Sequence, residues 1–149
     1  MKHTVFVTRV INAPREHVFD TFTTHTTYAR VPGVLGSTLL QPGEGNPSNG
    51  LGAVREIRLP GAMLRERVTG LSRPDFWDYH FVQWSLPFPH AGGRMAFRDV
   101  PGGTEVRWET SWELPDGLMW RLAGPGIAAA NRGVLEGLIR LLGREAEKG

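Results

Sequence analysis

No cysteine occurs among the 149 residues. Disulfides, thiolate metal ligands and a cysteine nucleophile are therefore excluded, and a reducing compartment is compatible with the chain. Long apolar runs are missing too. Nowhere do about 18 apolar residues follow one another, so no membrane span is expected. Lysine is nearly absent: Lys2 and Lys148 stand alone, and arginine supplies the rest of the 17 basic residues. Against 15 acidic residues they leave a formal net charge of +2. The two signs are interleaved, and without a basic run no nucleic-acid partner is expected. The amino end, MKHTVFVTRVINAP, alternates instead of holding a continuous apolar stretch. That pattern is expected of a strand and not of a secretory leader, so the expected location is cytoplasmic.

Signals for metal, cofactor and nucleophile chemistry are also lacking. None of His3, His17, His25, His80 or His90 pairs with another His, Asp or Glu at a metal-ligand spacing on one element, so neither metal nor cofactor is expected. There is no Gly-x-Ser-x-Gly elbow. The glycine-rich stretch at 42–52, PGEGNPSNGLG, has neither the Lys-Ser/Thr ending nor the following helix of a phosphate loop, and reads as a surface loop.

What is present describes one globular domain over residues 1–149. Hydrophobic residues make up 40% and charged residues 21%, enough for a core at this length. Eleven prolines and nineteen glycines imply many turns. Residues 4–11 alternate and are rich in Val and Ile, a first strand. Pro14 then opens a short helix with Val18, Phe19 and Phe22 on its apolar face. A second short helix is expected from His25 to Arg30. Strands follow at 34–41, 53–59, 62–71, 76–86, 93–100 and 104–114, with turns at Pro60-Gly61, at 86–93 and at 101–103. From Leu118 to about Glu147 the period becomes helical, with a kink expected at Gly124-Pro125-Gly126. The predicted class is α+β: a curved antiparallel sheet of six to seven strands whose concave face is covered by the one element long enough to do it, the terminal helix.

Alternation also assigns faces. Thr104, Val106, Trp108, Thr110, Trp112 and Leu114 point to the helix, and Glu105, Arg107, Glu109, Ser111 and Glu113 to water. A turn centred on Pro60-Gly61 pairs Leu59 with Ala62, Ile57 with Leu64 and Arg55 with Glu66. Arg55 and Glu66 thus share the apolar face with Ile57, Leu59, Leu64 and Val68, while Glu56, Arg58, Arg65 and Arg67 face solvent. Two readings of the Arg55–Glu66 pair stand: an ion pair that fixes the sheet, or polar groups that hold one end of a ligand. On strand 76–86 the inward set is Trp77, Tyr79, Phe81 and Gln83. Trp84 is then partly exposed, at a partner surface or at a subunit contact such as a homodimer. Met95 and Phe97 point inward on strand 93–100. Ile127, Val134, Leu135, Leu138, Leu141 and Leu142 form the helix stripe. Asn131 lies on that stripe, either bonded to backbone or lining a cavity. An aromatic inner face with few polar groups is the composition of a small-molecule pocket, of roughly 300–1,000 Å³.

The stretches VTRVINAPREHVFDTF at 7–22, GLGAVREIRLPGAMLRERVTGL at 50–71, and Tyr79 followed by LPFPHAGG and GGTEVRWETSWELP resemble the polyketide cyclase/dehydrase branch of the START-like superfamily. That superfamily (helix-grip, or SRPBCC) includes the birch pollen allergen, and the likeness covers nearly the whole chain. It implies the helix-grip fold and a ligand cavity lined by Arg55, Ile57, Leu59, Leu64, Glu66, Tyr79, Phe81, Met95, Phe97, Trp108, Thr110, Trp112, Ile127 and Asn131. The 53–71 hairpin is also similar to the gate-loop region of plant abscisic-acid receptors. By that likeness Glu66 and Asn131 fall at polar pocket positions, and Leu59 and Pro60 near the mouth. The receptors' pocket lysine has no counterpart among residues 34–41. The expected partner is a small hydrophobic molecule, lipid-like or polyketide-like and aromatic, which the chain binds or carries. The alternative is a cofactor-independent cyclase/dehydrase in which Glu66 moves protons and Arg55 or Tyr79 polarises a carbonyl. A third reading is a protein-binding module of chaperone-activator type that uses Trp84.

Overall fold

Alternating stretches become strands here because one face of each can be buried. The computed structural model describes residues 1–45, 49–85 and 90–149. The chain runs β1 (Lys2–Ile11), α1 (Arg15–Thr23), α2 (His25–Tyr28), β2 (Gly36–Gln41), β3 (Val54–Leu59), β4 (Ala62–Ser72), β5 (Phe76–Trp84), β6 (His90–Val100), β7 (Gly103–Glu113) and α3 (Leu118–Glu147). The seven strands form one antiparallel sheet in the order β1-β7-β6-β5-β4-β3-β2. This is the helix-grip architecture: the sheet curls round α3, and α1 and α2 follow β1.

Every inward residue expected on the last strand, from Thr104 to Leu114, is buried. The β3–β4 register pairs Arg55 with Glu66, Ile57 with Leu64 and Leu59 with Ala62. Gly61 has φ +73°, the positive value that the residue after proline adopts in a type II turn. α1 buries Val18, Phe19 and Phe22, and Phe22 sets its ring edge-on to Phe97 and Trp108. α3 presses closely on β1, because a Cβ on Gly143 would overlap Ile11 Cδ1.

Several local expectations are corrected. α2 ends at Tyr28 rather than Arg30. β6 begins at His90, so the expected turn loses its last residues to the strand; residues 86–89 lie outside the described residues. α3 stays a single helix across Gly124-Pro125-Gly126, where the kink is expected, so that expectation is not overturned. Its buried stripe is Leu135, Ile139, Leu142, Gly143 and Ala146, whereas Val134 is 53% exposed. Glu56 is not in open solvent. Arg58 Nε and Arg65 Nε reach its two oxygens at 2.7 and 2.9 Å. The two arginine stems cover the carboxylate, and their hydrogen bonds hold its pKa below the usual carboxylate range.

Candidate functional site

A break in strand register decides which side chains enter the interior. Arg65 pairs with Gln83, but Glu66 pairs with Phe81, so Val82 has no partner opposite. Such a bulge shifts the alternation by one residue. Phe81 and Trp84 therefore share the inner face and touch, with ring centroids 5.6 Å apart, while Gln83 turns out to meet Arg65. Both the inward placement of Gln83 and the outward placement of Trp84 are corrected. Trp84 joins Trp77, Tyr79 and Phe81 in an aromatic ladder with centroid steps of 5.4 and 5.5 Å below it.

Between this ladder and α3 lies a cavity of about 210 Å³, below the usual range for ligand pockets. Its walls are almost wholly apolar. Ile57 and Leu59 come from β3, Ala62 and Leu64 from β4, Phe81 and Trp84 from β5, Trp108 from β7, and Val134, Leu135 and Leu138 from α3. Tyr28 and Val34 close one side. Glu66, Tyr79, Ser85, Thr110 and Asn131 supply the polar lining.

Beneath the polar end sits Arg55, with no exposed side-chain surface. Its Nε donates to Glu66 Oε1 at 2.9 Å, and Nη2 donates to the same oxygen. Its Nη1 donates to Thr23 O at 2.6 Å, a carbonyl at the end of α1 that has no donor within the helix. The guanidinium lies 4.5 Å from the Trp77 ring centre and 5.2 Å from that of Tyr28, within cation–π range. Burial opposes its charge, but the charge and hydrogen bonds of Glu66, with Tyr28 beside it, prevail and raise its pKa above the ordinary arginine value.

Tyr79 stands beside this pair. Trp108 Nε1 donates to its phenol oxygen at 2.9 Å. The ring lies over Gly93 of β6, where a Cβ would overlap the phenol. Burial first, and then the negative Glu66, push the Tyr79 pKa well above the ordinary tyrosine value. Burial does the same to Tyr28, whose hydroxyl donates to Phe22 O at 3.1 Å. Both phenols therefore stay protonated, as hydrogen-bonding groups and not as bases.

Of the expected cavity residues, Ile57, Leu59, Leu64, Glu66, Tyr79, Phe81, Trp108, Thr110 and Asn131 are on the wall. Arg55 is not; it lies behind Glu66. Met95, Phe97 and Trp112 face inward but are packed in the core; α1 sets Phe19 and Phe22 against Phe97, and His3 of β1 stacks on Trp112. Ile127, one turn before Asn131, packs on the core and not on the cavity. Leu59 is at the wall and Pro60 is not among the lining residues. Sequence reasoning missed Tyr28, Val34, Ala62, Trp84, Ser85, Val134, Leu135 and Leu138 as lining. The helical stripe already contained the last three. Tyr28 and Val34 carry no periodic signal, since their place depends on how α2 crosses the sheet.

Among the described residues there is no group of three or more His, Asp or Glu side chains placed to hold a metal ion. No helix there is long and apolar enough to cross a membrane.

The family model described as polyketide cyclase / dehydrase and lipid transport matches residues 2–147. No curated protein matches the sequence. Among solved structures, a START superfamily protein from Mycobacterium smegmatis superposes with a TM-score of 0.78 at 16% identity, over 98% of each chain. The Zhui aromatase/cyclase from a Streptomyces strain gives a TM-score of 0.78 at 15% identity, over 99% of this chain and 95% of that one. Ara h 8.0201 gives 0.75 at 11% identity over the full length of both. At such identities the likeness is one of fold.

Proposed function

The chain belongs to the polyketide cyclase/dehydrase and lipid transport family, and from that premise we propose that it binds a small, largely apolar molecule in the cavity beneath α3 and carries it. The observation that supports this most is the cavity itself, apolar on nearly every wall and closed at one end by Glu66, which is only 5% exposed. An interior built solely for stability is packed to crystal-like density and leaves few voids larger than a water molecule. Binding here draws on the hydrophobic effect, about 25 cal/mol for each Å² of apolar surface removed from water. The test is native mass spectrometry of the protein purified from its own host, beside the variant Leu64→Trp, which fills the cavity. The expected result is a bound small molecule on the wild type and none on the variant. A wild-type mass without adduct, together with no affinity for any apolar probe, removes the reading.

A second reading, a cyclase or dehydratase acting in the same cavity, has one observation in its favour. Glu66 and Tyr79 lie on adjoining strands at the polar end of the cavity. In that reading Glu66 takes a proton next to a carbonyl, and the protonated Tyr79 phenol hydrogen-bonds the enolate oxygen that forms. Its signature is Glu66→Gln or Tyr79→Phe losing turnover while ligand affinity is kept.

A further inference from the structure

We propose that the cavity selects uncharged molecules of about one or two rings that present a hydrogen-bond donor, such as a phenol, an enol or an N–H, and that it turns carboxylates away. This rests on the cavity being a binding site and specifies what that site recognises.

The polar lining offers acceptors where a ligand would need partners. Glu66 Oε1 is occupied by Arg55. Its Oε2 takes no hydrogen bond among the described residues, although Glu66 lines the cavity. An ionised carboxylate oxygen can only accept, so a ligand group placed against it must bring the donor. Asn131 repeats the pattern. Its Nδ2 donates to Ile127 O at 3.0 Å. A carbonyl can only accept, so the amide nitrogen must face it. Asn131 Oδ1, with no donor among the described residues, is left on the other side of the amide of this lining residue. The Thr110 hydroxyl donates to Gly92 O at 3.4 Å and that of Ser85 to Met63 O at 3.4 Å, so their protons are engaged, and the Tyr79 phenol oxygen already accepts from Trp108 Nε1.

Charge points the same way. No Lys, Arg or His is among the lining residues described. Arg55 is fully buried, and its Nε, Nη1 and Nη2 are committed to Glu66 and Thr23. Because Arg55 already neutralises Glu66, a ligand cation gains no net charge to offset its desolvation. A ligand carboxylate fares worse, since it loses its water and meets the lone pairs of Oε2 and Oδ1. Size closes the argument. A dry cavity of roughly 150 Å³ is known to accept benzene, and the space here is about 210 Å³.

The test is a matched set on one ring system at neutral pH: naphthalene, 2-naphthol, 2-methoxynaphthalene and 2-naphthoate, with affinity read by titration calorimetry. The methyl ether keeps the oxygen and removes the donor. We expect 2-naphthol to bind the wild type about tenfold or more tighter than the ether and the carboxylate. Asn131→Leu, on a half-exposed helical position, should shrink the naphthol-to-ether ratio. Glu66→Gln places an amide N–H where Oε2 stood, so where that variant folds the ratio should fall and the carboxylate should gain. Equal affinities for naphthol and ether, or a carboxylate bound as tightly as naphthol, overturn the proposal and leave the binding site standing. Failure of all four compounds to bind removes both.

Discussion

Arg55 carries a full charge where no water reaches it. Such a pair does not by itself stabilise a fold, but removing one partner strands the other. Arg55→Met should therefore cost about 3–5 kcal/mol by urea unfolding. The double variant Arg55→Met/Glu66→Leu should recover most of that loss. Additive losses would show that the two side chains do not act as a pair. The chain holds only two tyrosines, and the pKa of each is raised by burial. The unfolded chain ionises its tyrosines near pH 10; the folded one does not. Above that pH the unfolded state binds fewer protons, so stability falls as pH rises through 10 and beyond. Below it, these two groups contribute no pH dependence. Absorbance at 295 nm should accordingly show no tyrosinate in the folded protein until it unfolds, in a single step with the circular dichroism. The pairing of Arg55 with Glu66 was legible from the Pro60-Gly61 turn alone. Its depth was not, because Thr23 O and the Tyr28 and Trp77 rings reach it from three other elements.

At the scale of elements, the bulge at Val82 and the contact of α3 with β1 matter most. Alternation is regular only as far as Phe81; beyond it strict alternation would put polar Gln83 inside and Trp84 outside, and the strand pairing shows that Val82 is the extra residue. Val82 faces β4 without a partner and is 45% exposed. Deleting it should close the break between Arg65 and Glu66, keep Trp84 inside and leave ligand affinity within about threefold, since Val82 is not among the lining residues. Loss of binding would show that the bulge itself shapes the mouth. On α3, Gly143 gives β1 the room that Ile11 occupies. Gly143→Val should cost about 1–3 kcal/mol through overpacking. Ile11→Val, which removes the overlapping Cδ1, should return part of it; denaturation of the single and double variants checks the coupling. Gly143 was visible in the sequence as a glycine in a helix, but what lay opposite it was not.

For the molecule as a whole, a ligand that binds only the folded state should raise its stability by about 2.7 kcal/mol at a hundredfold excess over Kd. A thermal midpoint that rises with the naphthol series but stays fixed in Leu64→Trp places that effect in the cavity. By itself the sequence determined the order of elements, the inner face of β7 and the β3–β4 register, because period-2 alternation and a proline–glycine turn are local properties that each segment carries with it. It also determined that Glu66 and Asn131 stand on apolar faces. Only the tertiary structure decided that Phe97, Met95 and Trp112 are core while Tyr28, Trp84 and Leu135 are wall, and that Arg55 lies behind the cavity. Whether an inward side chain meets another side chain or open space depends on what the opposite layer brings to that spot. Here that was settled by where α1, α2 and α3 come to rest against a curved sheet.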